Sequence, residues 1–229
     1  MKSKISLACL FLASAAGAQT SGFYTGVGAV YSSFHSDLKI SASVPPDFGD
    51  YTFDIKKGSM NLKFFAGYQK YMGNHFIAAE VFATPFQDTL KKTTVGSYES
   101  RGAGALMFND VQIKTWRRFS AGLNLKYGRH FDDRTAAFVT LGLVGSQFKV
   151  RHSDDTPQSI NYQKYQMGYA PGAGIKYYIK DRMPITFQYD YEVYKKFSTK
   201  NMSLLPGSNI TYKPENKYHN FMISISCEL

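Results

Sequence analysis

Five histidines are the first candidates for chemistry: His35, His75, His130, His152 and His219. Two of them lie in similar tetrapeptides, FHSD at 34–37 and RHSD at 151–154, with serine directly after histidine. A base activates a nucleophile only from within hydrogen-bond reach, and neighbours along a strand point to opposite faces. Histidine and serine side by side in an extended segment therefore do not make that pair. The histidines read as solvent-exposed bystanders, and no His/Cys/Asp/Glu spacing suits a metal ion. The expectation is a chain with no catalytic, cofactor-binding or metal site, one that is not an enzyme.

Charged residues within apolar stretches are the second group. Lys63, Glu80, Arg118, Lys126, Asp190 and Glu192 each stand in a segment where every second residue is apolar. The apolar sets are Leu62, Phe64, Ala66, Tyr68; Ile77, Ala79, Val81, Ala83; Phe119, Ala121, Leu123, Leu125, Tyr127; Ala137, Val139, Leu141, Leu143; and Ile185, Phe187, Tyr189, Tyr191, Val193. If the charges share an enclosed interior they must neutralise one another. Such an interior is either a conduit for ions or small solutes or a packed core of ion pairs. Eight strands leave room for little but side chains, which favours the packed core. A third group is basic: Lys195, Lys196 and Lys200, with Lys213 and Lys217 returning toward the last strand. It is suited to a polyanion such as lipopolysaccharide phosphate. An ordinary solvated rim explains it equally well.

The elements that must position these residues alternate with period two. Strands are expected near 22–33, 59–72, 75–86, 115–130, 135–150, 163–180, 184–197 and 218–229. Gly73-Asn74, Asp132-Asp133-Arg134 and Asp181-Arg182 make short polar turns of the hairpin kind. Between them come long connections, about 34–58, 87–114, 151–162 and 198–217. Alternating short and long connections, with polar residues inside and apolar ones outside, define an eight-stranded antiparallel up-and-down transmembrane β-barrel, an all-β fold. A secreted ligand-binding barrel would need the reverse, an apolar interior. Two aromatic belts are expected at the lipid boundaries. Tyr31, Phe86, Trp116, Phe148, Tyr165 and Tyr191 form the outer one, and Tyr71, Tyr127, Phe131, Tyr177 and Tyr178 the inner. Pro171 fits the sixth strand poorly and predicts either a bulge aided by Gly172 and Gly174 or a strand that starts after it.

The N-terminus predicts export. Lys2 and Lys4 precede an apolar stretch and the small-residue site Ala16-Gly17-Ala18, a signal peptide over 1–18 cleaved before Gln19. The mature domain then runs 19–229 and retains one cysteine, Cys227, so it forms no internal disulfide. A mean hydropathy of −0.29 with 16% aromatic residues agrees with a sheet apolar on one face. The last residues, NFMISISCEL, alternate to the end. They put Phe221, Ile223, Ile225 and Leu229 on the lipid side of a closing strand needed for barrel assembly, because an open edge does not persist in hydrocarbon.

GFYTGVGAVYSS, FFAGYQKYM, APGAGIKYYI and the alternating terminal strand resemble the outer-membrane β-barrel domain family. That family includes opacity-type surface antigens and small OmpA- and OmpX-like barrels of Gram-negative bacteria. Its members usually end on Phe or Trp, whereas this chain ends on Leu229. The resemblance implies a monomeric protein at the Gram-negative cell surface, with a structural role or an adhesion and envelope-interaction role carried by its outer loops. Its partners would be outer-membrane lipid and lipopolysaccharide, the barrel-assembly machinery and host or envelope ligands, with no nucleic acid and no cofactor. A narrow porin-like channel is the first alternative and a lipid A-modifying barrel enzyme the second.

Overall fold

The computed structural model describes residues 21–44, 47–85, 112–153, 159–195 and 209–229. The expected signal segment, Phe86, Lys196 and Lys200 lie outside them. Eight strands follow in order: β1 (Gly22–Val44), β2 (Asp47–Met72), β3 (His75–Thr84), β4 (Gln112–His130), β5 (Thr135–Ser153), β6 (Ser159–Lys180), β7 (Met183–Tyr194) and β8 (Asn209–Glu228). Each pairs antiparallel with the next, and β8 returns to β1, closing the barrel. Every backbone ladder thus finds a partner without an edge in the hydrocarbon.

Three short turns gather at the end where β1 begins and β8 ends. Gly73 supplies the left-handed residue of the β2–β3 turn, at φ 60°. In the β4–β5 turn Asp132 Oδ1 accepts the N–H groups of Arg134 (2.7 Å) and Thr135 (2.6 Å). In the third, Arg182 itself adopts φ 68°.

At the opposite end the strands are longer than their expected bounds. The span 34–58, expected as a loop, is an unbroken continuation of the β1–β2 ladder as far as Val44↔Asp47. β5 and β6 continue to Ser153↔Ser159, and β8 already begins at Asn209, opposite Ser43. The sequence there does alternate, with Leu38, Ile40, Ala42 and Val44 between Asp37, Lys39, Ser41 and Ser43, and Tyr51, Phe53 and Ile55 between Thr52, Asp54 and Lys56. The turn-forming residues of SVPPDFGDY make the whole span read as a loop, although they mark only its tip.

Two further expectations are corrected. β6 runs through Pro171, with no bulge there. The ladder to β7 pauses between Tyr169↔Val193 and Gly172↔Asp190 and resumes with unchanged register, a gap in which a residue without an N–H is tolerated. The register shifts fall elsewhere, between Arg117 and Phe119 and between Tyr178 and Lys180. The aromatic belts also lose members to the interior, since Phe148 and Tyr178 are buried and Tyr71 bonds within the lumen. Phe148 is an odd number of residues from Leu141 and Leu143, and Tyr178 adjoins the exposed Tyr177, so strand alternation turns both inward.

The outward face is apolar over a continuous band. Leu123, Leu125, Val139, Leu141 and Leu143 are 57–62% exposed, which for a folded protein marks a surface in contact with lipid.

Candidate functional site

The lumen is filled in three tiers of polar pairs. Near the turn end, Lys176 Nζ donates to Gln69 Oε1 at 2.6 Å and lies 3.7 Å from Glu228 Oε1. Tyr178 and Tyr71 donate to the two oxygens of the same carboxylate at 2.8 and 3.1 Å. In the middle, Glu80 accepts from Lys126 Nζ (2.6 Å), Asn124 Nδ2 (2.9 Å) and Tyr24 Oη (3.1 Å). Higher up, Lys63 faces Asp190 at 3.7 Å and Arg117 Nη1 donates to Glu192 Oε2 at 2.8 Å. Tyr194 Oη donates to that Glu192 oxygen as well.

Rings fill the space between the charges, and the backbone register explains how they fit. Six lumen glycines stand directly opposite an aromatic residue: Gly26–Phe65, Gly67–Tyr24, Gly122–Phe82, Gly128–Phe76, Gly168–Tyr194 and Gly174–Phe138. In each case a Cβ on the glycine would strike that ring. The missing side chain is therefore the seat of the ring across the ladder. The lumen lysines lie over the same rings. Lys63 is 4.1 Å from the centre of Phe82, Lys176 is 4.9 Å from Phe76, and Lys126 is 5.3 Å from Phe138, all within cation–π range. A cap of Phe34, Phe148, Tyr194 and Tyr218 closes the upper end, with Phe34 and Tyr218 at 4.7 Å and Phe148 and Tyr194 at 5.0 Å between ring centres. The void bordered by Lys63, Phe82, Arg117, Asp190 and Glu192 measures about 10 Å³.

Lys63, Glu80, Lys126, Asp190 and Glu192 all project into this lumen and are buried. Arg118 does not, and here the sequence expectation is corrected. The β4 bulge inserts Arg118 between Arg117↔Phe148 and Phe119↔Gln147, so Arg117 turns inward and Arg118 is exposed beside Phe119. Lys176 and the capping rings were not among the expected lumen residues. The even-numbered run Gly172, Gly174, Lys176 shared by one face of β6 carried that signal.

Of the basic group, Lys195 is exposed just past β7, and its N–H donates to Met167 O at 3.1 Å. Lys217 is half-buried and ion-paired with Glu215 at 3.0 Å, while Lys213 stands in β8 opposite Lys39. Of the closing residues, Phe221, Ile223 and Ile225 are exposed on the outward face of β8. The N–H of Leu229 donates to Phe23 O at 2.7 Å, fastening the chain end to β1. Two histidines meet tyrosines outside the lumen, His75 with Tyr127 at 3.0 Å and His219 with Tyr189 at 2.7 Å. Among the described residues no group of His, Cys, Asp and Glu could hold a metal ion.

Residues 5–227 match the family model described as "Outer membrane protein beta-barrel domain". By sequence, no curated protein matches. Among solved structures, the outer membrane protein OprG of Pseudomonas aeruginosa is similar with a TM-score of 0.61 at 14% identity, over 92% of this chain and 97% of that one. The outer membrane protease OmpT of Escherichia coli is similar with a TM-score of 0.51 at 11% identity, over 92% and 99%. A major outer membrane protein of Thermus thermophilus gives 0.50 at 10% identity, over 91% and 99%. At these identities the likeness is one of fold.

Proposed function

The chain belongs to the outer membrane protein β-barrel domain family, and on that premise we propose that it is a surface barrel closed to solutes, acting through the hairpins it raises above the membrane. The observation that carries this reading is the filled lumen. The void beside Lys63, Arg117 and Asp190, about 10 Å³, is at the lower limit of what a single water needs. Above it sits the four-ring cap, so a hydrated ion finds no continuous path. The outward apolar band ends near Tyr31 and Met60, yet β1 continues to Val44. At ~3.3 Å per residue those thirteen residues make about 40 Å of paired strand beyond the lipid. Strands of that length, held in register with β2 and β8, suit contact with envelope or host components.

Planar-bilayer recording of the refolded protein tests this. A closed barrel gives no discrete conductance steps. Regular steps from the folded wild type would replace this reading with that of a narrow channel.

A further inference from the structure

The ends of β2, β6 and β8 bring three oxygen-bearing side chains together at the turn end of the lumen. Glu228 closes β8, and backbone bonds on both sides hold it in place. Its own N–H donates to Arg182 O at 2.8 Å, and that of Leu229 donates to Phe23 O at 2.7 Å. Tyr178 Oη lies 2.8 Å from Glu228 Oε1, Tyr71 Oη lies 3.1 Å from Glu228 Oε2, and the two hydroxyl oxygens are 2.9 Å apart. The four oxygens thus close a ring. Neighbouring side chains keep the tyrosines there. The His130 ring centre is 5.6 Å from that of Tyr71 and 5.8 Å from that of Tyr178, and Phe76 packs on Tyr71 at 6.2 Å.

A ring of this size suits more than hydrogen bonds. Oxygens held at ~2.0 Å from one ion in octahedral geometry stand about 2.8 Å apart along each edge. The spacings around Tyr71, Tyr178 and Glu228 match that edge. The donors are two phenols and a carboxylate, a hard set that selects oxygen-seeking cations. Charge narrows the choice further. A phenol ionises near pH 10, so a cation gains it as a ligand at neutral pH only by displacing its proton. Ferric iron is the abundant hard cation acidic enough to do this. The step balances as one ferric ion, two neutral phenols and one carboxylate giving the bound ion and two protons released to water. Lys176 Nζ, 3.7 Å from Glu228 Oε1, opposes a cation there, but the loss of two protons limits the rise in local charge to one unit. Tyr71 and Glu228 are only half-buried, which gives the ion a way in and the protons a way out.

We propose that Tyr71, Tyr178 and Glu228 bind a ferric ion at the turn-end mouth of the lumen, with both phenols deprotonated. The site lies at the opposite end from the hairpins and does not depend on the lumen being closed.

The signature is optical, because a phenolate bound to ferric iron absorbs visible light by charge transfer and free tyrosine does not. The folded protein in detergent is titrated with ferric nitrilotriacetate. A visible band should rise and saturate at one ion per chain, and gallium nitrilotriacetate should displace it. Tyr71→Phe, Tyr178→Phe and Glu228→Gln should each weaken binding at least about tenfold, and the double Tyr71→Phe/Tyr178→Phe variant should give no band. Tyr177→Phe, on the exposed outer face, should bind as the wild type does. Heat-dependent gel mobility verifies that each variant is folded; if the double variant fails to fold, the single ones carry the test. The absence of a band, a band that survives the double substitution, or an affinity untouched by Glu228→Gln would overturn the site and leave a hydrogen-bonded clasp. A conducting barrel that shows the band refutes the closed lumen alone; a silent barrel without it refutes this site alone.

Discussion

Substituting Ala for Gly128 tests how the lumen is filled. Gly128 faces Phe76 across the β3–β4 ladder, and an added Cβ would collide with Cε1 and Cζ of that ring and lie 2.7 Å from Ala137 O. The ring has little room to retreat. Phe76 is fully buried, with His130 at 5.7 Å, Tyr71 at 6.2 Å and Phe138 at 6.5 Å between ring centres. Overpacking of this kind costs about 1–3 kcal/mol, while removing glycine's freedom from the unfolded chain returns about 0.5–1 kcal/mol. The net expectation is a loss of about 1 kcal/mol, up to ~2 kcal/mol if the ring does not shift. Gly145 is the control. It lies on the outward face, where a Cβ would meet only the flexible Met167 Sδ at 3.2 Å and Ala121 O at 3.8 Å. Gly145→Ala should therefore gain about 0.5 kcal/mol, opposite in sign. Urea titration in lipid vesicles, read by heat-dependent gel mobility, measures both. Phe76→Leu in the Gly128→Ala background should recover part of the loss. A Gly128→Ala barrel as stable as the wild type, or matching Gly145→Ala, would refute the idea that glycines seat the rings.

Three other outcomes are expected. Lys126→Met should cost about 3–5 kcal/mol, because it strands the buried Glu80 carboxylate, and Lys126→Met/Glu80→Leu should recover much of that in the same titration. Gly73→Ala should lower stability by about 1 kcal/mol through backbone strain alone, since nothing lies within 4 Å of the added Cβ; Gly73→Asn should cost less. In the β4–β5 turn, the backbone N–H of Arg134, helped by that of Thr135, holds the Asp132 carboxyl below the usual carboxylate range. A lowered folded-state pKa contributes stability above the unfolded value of about 3.9, and the contribution fades as pH falls through the folded one. The stability difference between wild type and Asp132→Ala should thus be constant from neutral pH to about pH 4 and shrink below it.

The parts of the fold legible in the sequence are those where lipid imposes a rule. Leu123, Leu125, Leu141 and Leu143 alternate because one face of each strand meets hydrocarbon, and Gly73-Asn74, Asp132 to Arg134 and Asp181-Arg182 mark turns because tight reversals demand those residues. In 34–58 the alternation continues through Leu38, Ile40, Ala42 and Val44, but Pro45-Pro46 and the polar residues beside them make the span read as a loop although its backbone is a ladder. The bulge at Arg118 was detectable in principle. Trp116 and Phe119 both read as lipid-facing, yet they are three residues apart, and a regular strand cannot turn both the same way. Tyr177 and Tyr178 posed the same contradiction, and Tyr178 proved to be the inward one. The ring seats were hidden for another reason: which glycine faces which ring depends on register, and register belongs to strand pairs rather than to segments.

Register also makes the lumen a single unit. From wall to centre the order repeats: a glycine, the ring seated on it, and a lysine over the ring that also holds a carboxylate. Gly122, Phe82, Lys63 and Asp190 form one such series, and Gly174, Phe138, Lys126 and Glu80 another. A ring displaced by a larger wall residue must move the cation over it, and the cation cannot move without loosening its ion pair. No tier can open alone at small cost, because opening it would leave a buried charge without its partner. The same coupling explains why an interior rich in Lys, Arg, Glu and Asp need not be a water-filled pore. In the closed barrel proposed above, the charges satisfy one another across a space that the rings fill, and a partner would be met on the outer wall or on the hairpins above it.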